Sequence, residues 1–309
     1  MDFFRSTFYK YCIGLLLGVG VYLSFATPIG GNFRDVAMLS MAGVIDITPV
    51  RGVLNPDGTA TDFTNDKRRI EIPQDMMLPS SVTWVADFSY RPADSTFILK
   101  KVVSVDPLMT FPLVQGLGEL GRNMLFHVPM SFVAFVLFLL GTIYSIVFLR
   151  KKDMKYDLQA RGFSAVGLLL TFLATVTGSI WARFSWGRFW NFDPRESSIL
   201  ILLLIYIAYF LLRSLMEESE EKKARIAAVY NIIAFVTVPF LMFVLPRITE
   251  SLHPGGGNSV APVINLSGKT YTAPTLLWML WGMVFVFTLI CLWIKDIYVR
   301  ILKLEEQKN

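Results

Sequence analysis

Six stretches of this chain carry no Asp, Glu, Lys or Arg: residues 11–33, 123–149, 162–182, 197–212, 226–245 and 271–294. A helix crosses the hydrocarbon core of a bilayer with about 20 mostly apolar residues, because it satisfies its own backbone hydrogen bonds where water cannot. Five of the runs reach that length. The run from Ser197 is shorter and is expected to extend at its ends. The fold class that follows is an all-α membrane protein with six transmembrane helices. The first run follows Arg5 and Lys10 like a secretory leader, but Ser24-Phe25-Ala26 matches the small-x-small cleavage pattern poorly. Residues 1–27 are therefore expected to stay as the first transmembrane helix.

Positive charge orients the helices. Lys and Arg collect at Arg5 and Lys10, at Arg150 to Arg161, at Arg213 to Arg225, and in the 295–309 tail, while the short opposite loops carry few and the long segment 28–122 escapes the charge rule. Cationic loops stay inside, so both termini are expected to be cytoplasmic, with 28–122, 183–196 and 246–274 outside. The net charge of +5 then reports orientation, not nucleic-acid binding. Residues 28–122 are punctuated by Pro28, Gly30-Gly31, Asn55-Pro56-Asp57-Gly58, Pro92 and Pro107, with β-favouring stretches at 81–88 and 96–103 between them. This predicts a small β-rich external insert between helices 1 and 2. Residues 123–294 form the five-helix core.

The chain has two histidines, His127 and His253. In this topology both fall on the outer face, His127 at the start of the second helix and His253 shortly after the fifth. Between them lies an expected loop, 181–197, containing Trp181, Phe184, Trp186, Phe189, Trp190 and Phe192 interleaved with Arg183, Arg188 and Arg195. An interfacial belt explains one or two aromatics per helix end, but poorly six in so short a stretch. Two imidazoles can bind haem iron axially, the aromatics can stack on the macrocycle, and guanidinium can pair with propionates. Arg195 pairing instead with Asp193 or Glu196 is an equal alternative. Zinc, with Asp193 and Glu196 added to the histidines, suits an aromatic setting less well. The cysteines, Cys12 and Cys291, lie in apolar runs. Without a Cys-x-x-Cys-His there is no covalent haem attachment to this chain, so the cofactor reading is non-covalent haem b. Pro254-Gly255-Gly256-Gly257-Asn258 follows His253 and would let that ligand move.

Three segments resemble the haem-handling WWD-domain family, and its CcmC branch in system I cytochrome c maturation most of all. They are Phe126-His127-Val128-Pro129, Thr177-Gly178-Ser179-Ile180-Trp181 running into Trp186 to Arg195, and Ser251-Leu252-His253. The resemblance implies that His127 and His253 ligate haem iron and that Trp186, Gly187, Trp190, Asp193 and Arg195 cradle the macrocycle. It also implies presentation of haem to a CcmE-like chaperone beside CcmA, CcmB and a CcmD-like small protein in a bacterial inner membrane. Such a chain is an assembly component, not a small-molecule enzyme. ATP hydrolysis would belong to CcmA, since Gly-x-x-x-x-Gly-Lys is missing here. Phe189 and Phe192 stand where the family usually has Trp, which keeps a stacking face and loses an N–H donor. Asp193-Pro194-Arg195-Glu196 shares Asp-Pro-x-Glu with the synthetase branches CcmF and CcsA. A synthetase-branch component or a haem transporter is therefore the alternative. A b-type electron-transfer subunit would need histidines on facing helices within the bilayer.

The topology is tested by cysteine labelling in a background lacking Cys12 and Cys291. Gly58→Cys and Gly256→Cys should react with an impermeant thiol reagent from outside, and Lys152→Cys should not. The reverse pattern inverts the model.

Overall fold

The computed structural model describes residues 6–43, 47–113, 118–253 and 274–307. In chain order the elements are α1 (Thr7–Ala26), β1 (Ile29–Gly30), α2 (Phe33–Met41), β2 (Thr48–Leu54), β3 (Thr59–Asp62), β4 (Lys67–Glu71), β5 (Thr83–Arg91), β6 (Thr96–Val105) and β7 (Phe111–Pro112). A 3₁₀ turn (Gly118–Asn123) leads into α3 (Met124–Lys151), α4 (Met154–Trp186), α5 (Pro194–Leu215) and α6 (Glu220–Pro239). A π turn (Phe240–Val244), α7 (Leu245–Ile248) and α8 (Pro274–Glu306) complete the order. Among the described residues six helical spans are long and apolar enough to cross a membrane, α6, the π turn and α7 together making one of them. The chain is a multi-pass membrane protein, and the short run from Ser197 is indeed extended, back to Pro194.

Two compact units divide these elements. One comprises Met1–Gly20, Asn123–Tyr271 and Leu280–Asn309, the other Val21–Arg122 and Thr272–Met279. Within the second, five strands close into a barrel in the order β2-β3-β4-β6-β5, antiparallel except for the β4–β6 pair. The period-two alternation of strands sends Val50, Trp84, Ala86, Phe88, Phe97 and Leu99 inward. Phe33 of α2 plugs this core, its ring 4.8 Å from that of Phe97 and 5.5 Å from that of Phe88. Gly52 is required beside Trp84, because a Cβ there would lie 2.9 Å from the indole and 2.7 Å from the Thr61 carbonyl oxygen. The buried Asp62 carboxylate accepts from the Phe33 backbone N–H at 2.9 Å, which ties the plug to the barrel.

In the helical unit, α3 and α4 are joined only by Lys152 and Asp153, so they must run antiparallel. Lys152 takes the left-handed position that ends α3, and Asp153 caps α4 by accepting from the Lys155 N–H. Where water is excluded, close packing and side-chain hydrogen bonds hold helices together. Asn231 of α6 donates to Ser145 of α3 at 2.9 Å and accepts from Ser164 of α4 at 3.4 Å. Gly141 allows this approach, since a Cβ there would sit 2.8 Å from Ser164 Oγ. Phe138 stacks on Tyr206 of α5, with ring centroids 3.7 Å apart. Asp157 and Arg213 form a two-pronged ion pair at 2.8 and 2.7 Å, exposed by only 2% and 7%.

That ion pair lies at the start of α4 and the end of α5, the helix ends that carry the basic clusters. The other ends, with the N-terminus of α3 and the end of α7, converge on a cavity. At 1.5 Å per residue, α3 separates the two ends by about 40 Å. Removing one member of a buried ion pair costs about 3–5 kcal/mol, because the partner charge is left unpaired. Asp157→Ala should therefore lower the thermal midpoint of the purified protein sharply. The double variant Asp157→Leu with Arg213→Leu should recover most of the loss. Equal losses in single and double variants would locate the cost in packing instead.

Candidate functional site

The aromatic segment is less irregular than its sequence suggests. Trp181, Phe184 and Trp186 belong to the last turns of α4, and only the chain from Gly187 to Asp193 is non-helical. The expected 181–197 loop is corrected to this shorter length for two reasons. Gly187, at φ +82°, takes the left-handed position after α4 and donates to the Arg183 carbonyl at 3.1 Å. Asp193 then starts α5 at once through a capping box with Glu196, with Pro194 in the first turn, where a missing N–H costs nothing.

His127 is the fourth residue of α3 and faces α4. Its Nδ1 is 3.2 Å from Thr177 Oγ1, whose own hydroxyl donates to the Leu173 carbonyl at 2.9 Å. With that proton committed, the hydroxyl meets the imidazole as an acceptor. Nδ1 therefore carries the hydrogen and the lone pair sits on Nε2. The ring also needs Gly178: a Cβ there would lie 2.8 Å from His127 Cε1. Pro129 leaves α3 unbroken from Met124 to Lys151.

His253 is placed by Asp193. The Asp193 carboxylate is buried and accepts from His253 Nδ1 at 3.1 Å, the Leu252 N–H at 2.7 Å, the Arg195 N–H at 2.9 Å, and the Ser251 hydroxyl at 2.9 Å. Burial opposes its ionisation. The hydrogen bonds from His253, Arg195 and Leu252 outweigh burial and hold the carboxyl well below the usual carboxylate range. The imidazole packs edge-on to Trp186 at 4.9 Å and more nearly parallel to Trp181 at 6.1 Å. Each histidine thus has a neighbour at Nδ1, the arrangement that orients imidazole ligands and presents Nε2 to a metal. The mobile glycine stretch 255–257 expected after His253 lies outside the described residues.

Both histidines line one cavity of about 400 Å³, a size usual for cofactor sites. Trp186 and Trp190 form an aromatic wall, Phe132 of α3 and Phe243 of the π turn face it, and Arg195, Glu196 and Arg247 supply the charge. Trp181 is packed behind, against Trp186 and His253. Gly187 caps α4. Phe189 and Phe192 are exposed, by 58% and 82%, Phe189 lying under the Arg183 guanidinium at 5.9 Å. Asp193 acts through His253.

Neither alternative partner for Arg195 is taken up. Asp193 receives its backbone N–H, and Glu196 Oε2 receives the N–H groups of Asn191 and Asp193 at 2.7 and 3.3 Å. Among the described residues the Arg195 guanidinium has no ion pair, and its buried Nε and the buried Glu196 Oε1 lack hydrogen-bond partners. Two oriented imidazoles, two indoles and two guanidiniums lining one cavity fit a flat, metal-centred, carboxylate-bearing ligand. The sequence reading passed over the Thr177 hydroxyl, the close approach at Gly178, and the wall from the π turn and α7.

A family model for CcmC, described as "Heme exporter protein C", matches residues 80–309. The "Heme exporter protein C" of Paracoccus denitrificans is 29% identical over 145 residues, 47% of this chain and 60% of that protein. The protein of the same name in Rhodobacter capsulatus is 26% identical over 199 residues, 64% of this chain and 81% of that one. The "Cytochrome c biogenesis protein CcsA" of Chlamydomonas reinhardtii is 32% identical over 177 residues, 53% of this chain and 47% of its own length. The chain thus spans 60% and 47% of the length of two of these three relatives.

The Asp193 network predicts an acid response. A folded-state value below the unfolded one gives stability that is present above the ordinary carboxylate value near 4 and is lost as pH falls through the folded value. Asp193→Asn should lower the thermal midpoint at neutral pH and flatten its decline below about pH 4. An unchanged decline would assign the acid sensitivity elsewhere.

Proposed function

The chain belongs to the haem exporter protein C family, and we propose on that premise that it binds haem non-covalently at the outer face of the membrane and presents it for cytochrome c maturation. The observation that carries this reading is the pair of histidines lining one aromatic-walled cavity, each with Nδ1 engaged by a neighbour. In this reading His127 and His253 supply Nε2 to the iron, and Trp186 and Trp190 cover the macrocycle. Thr177, Gly178, Asp193 and Trp181 hold the two imidazoles, and Arg195 meets a propionate. Haem is cargo here, and the chain's own work is to hold it by two ligands and release it.

The acceptor is a CcmE-like haem chaperone, and the assembly includes CcmA-like and CcmB-like transporter subunits and a CcmD-like small protein. The protein sits in a bacterial inner membrane with both termini cytoplasmic and the cavity periplasmic. Support comes from the convergence of the cavity-lining helix ends away from the ends that carry the basic clusters. Residues 28–122 form the external insert. The CcsA match and the shared Asp193-Pro194-x-Glu196 favour a second reading as a synthetase-branch component. Haem would then be joined to an apocytochrome and not passed to a chaperone.

Absorption spectra of the purified full-length protein test the assignment. Wild type should carry haem with a two-histidine spectrum. His127→Ala and His253→Ala should each lower haem content and shift the Soret band, with partial restoration by added imidazole. Wild-type content and spectra in both variants would sink the axial assignment. Transfer of haem to an added chaperone, against covalent attachment to an added apocytochrome, separates the two readings.

A further inference from the structure

The cavity holds two arginines, and the haem reading as it stands uses one. Arg247 lies in α7, the short helix that follows the π turn. The turn has a local cause. A proline ring inside a helix collides with the carbonyl four residues earlier and removes a donor, and Pro246 occupies the second position of α7, directly after the turn. The chain relaxes by widening, so the Leu245 N–H bonds to the Phe240 carbonyl, five residues back. The Phe243 carbonyl of this turn accepts from Arg247 Nη1. One nitrogen of Arg247 is thereby anchored to the wall of the cavity that the residue lines. Among the described residues its guanidinium makes no ion pair, and neither does that of Arg195.

Like charges facing one cavity repel unless an anion lies between them. Glu196 is the one carboxylate among the lining residues, and its Oε2 is committed to two backbone N–H groups. The site's second carboxylate, Asp193, is committed to His253, Ser251, Leu252 and the Arg195 backbone N–H, so among the described residues neither carboxylate is paired with a guanidinium. Arg195 projects from the first turn of α5 and Arg247 from α7, so they approach from different elements. This arrangement suits a ligand with two carboxylates better than one with a single anionic end. Guanidinium forks bind carboxylates through paired, charge-assisted hydrogen bonds.

Resting on the haem reading above, we infer that Arg247 is a second carboxylate-binding group of this cavity and that it selects tetrapyrroles whose two propionates are free. His127 and His253 recognise the metal, and the two arginines recognise the ligand's acidic edge. The two determinants are separable, since a metal-free porphyrin presents only the second.

The test is a fluorescence titration of the purified full-length protein with protoporphyrin IX and with its dimethyl ester, which has the same ring and no charge. Wild type should bind the diacid about tenfold or more tightly than the diester, the scale of one charge-assisted hydrogen bond. Arg247→Gln should remove most of that preference by weakening the diacid and leaving the diester unchanged. Arg247→Lys should fall between, keeping the charge without the fork. Equal wild-type affinity for diacid and diester overturns the inference, as does Arg247→Gln weakening both alike, which would mark a packing role. A wild type that shows a two-histidine haem spectrum without discriminating the porphyrins overturns this inference alone. A wild type that takes up neither haem nor porphyrin overturns the haem reading and this inference with it.

Discussion

The site depends on one carboxylate. Asp193 begins α5 and, with the same oxygens, positions the chain after α7 through Ser251, Leu252 and His253. Local and long-range structure meet at that point, because the cap of one helix is also the anchor of a segment about sixty residues later. A buried carboxylate with this many donors is costly to vacate, since each donor would lose its partner in a place that water reaches poorly. The cap therefore does more than end a loop. It sets where α5 begins, hence where Arg195 and Glu196 project, and it turns His253 toward the same space.

The rest of the helical unit keeps those ends together. Short connections and antiparallel packing bring the start of α3, the end of α4, the start of α5 and the end of α7 to one side. Small residues permit the contacts on which this relies. Gly141 admits Ser164, Gly167 admits the ring of Phe138, and Gly178 admits the imidazole of His127. In a bilayer helices gain little by hiding apolar surface from one another, so close fit and polar contacts such as Asn231 to Ser145 decide the register. A shift of α4 along α3 would separate Thr177 from His127 and lose the tautomer that leaves Nε2 to bind metal.

Much of this was legible in the sequence because it rests on local rules. The six helices follow from uncharged length and the insert from its turn residues, whereas the start of α5 at Asp193 fell inside the expected loop. Two histidines and a cluster of indoles were visible as a candidate site. What could not be read was set by contacts between elements. Barrel closure through the parallel β4–β6 pair requires strands far apart in the chain. Thr177 looks like an ordinary helix residue until α3 is laid beside it. Trp181 and Trp186 belong to one aromatic run, yet one supports His253 from behind and the other lines the cavity. Arg247 stands among apolar residues and proline, and only the packing of the helices brings it to the cavity that the histidines line.

The two imidazoles are held in unlike ways. His127 is carried by a long helix and fixed between Thr177 and Gly178, so moving it would require displacing α3 against α4. His253 lies beyond the last turn of α7 and is attached through side-chain and backbone contacts to Asp193 and by packing on two indoles. Freeing His253 breaks hydrogen bonds at a single carboxylate and leaves every transmembrane helix in place. A ligand held between a rigid donor and a releasable one can be tightly bound in the closed arrangement and still exposed at low cost on one side. In the hand-over proposed above, an unequal hold on the two imidazoles serves release better than equal strength. The placement of Asp193 at a helix terminus, where a carboxylate is already stabilised by free N–H groups, supplies that inequality from ordinary backbone chemistry.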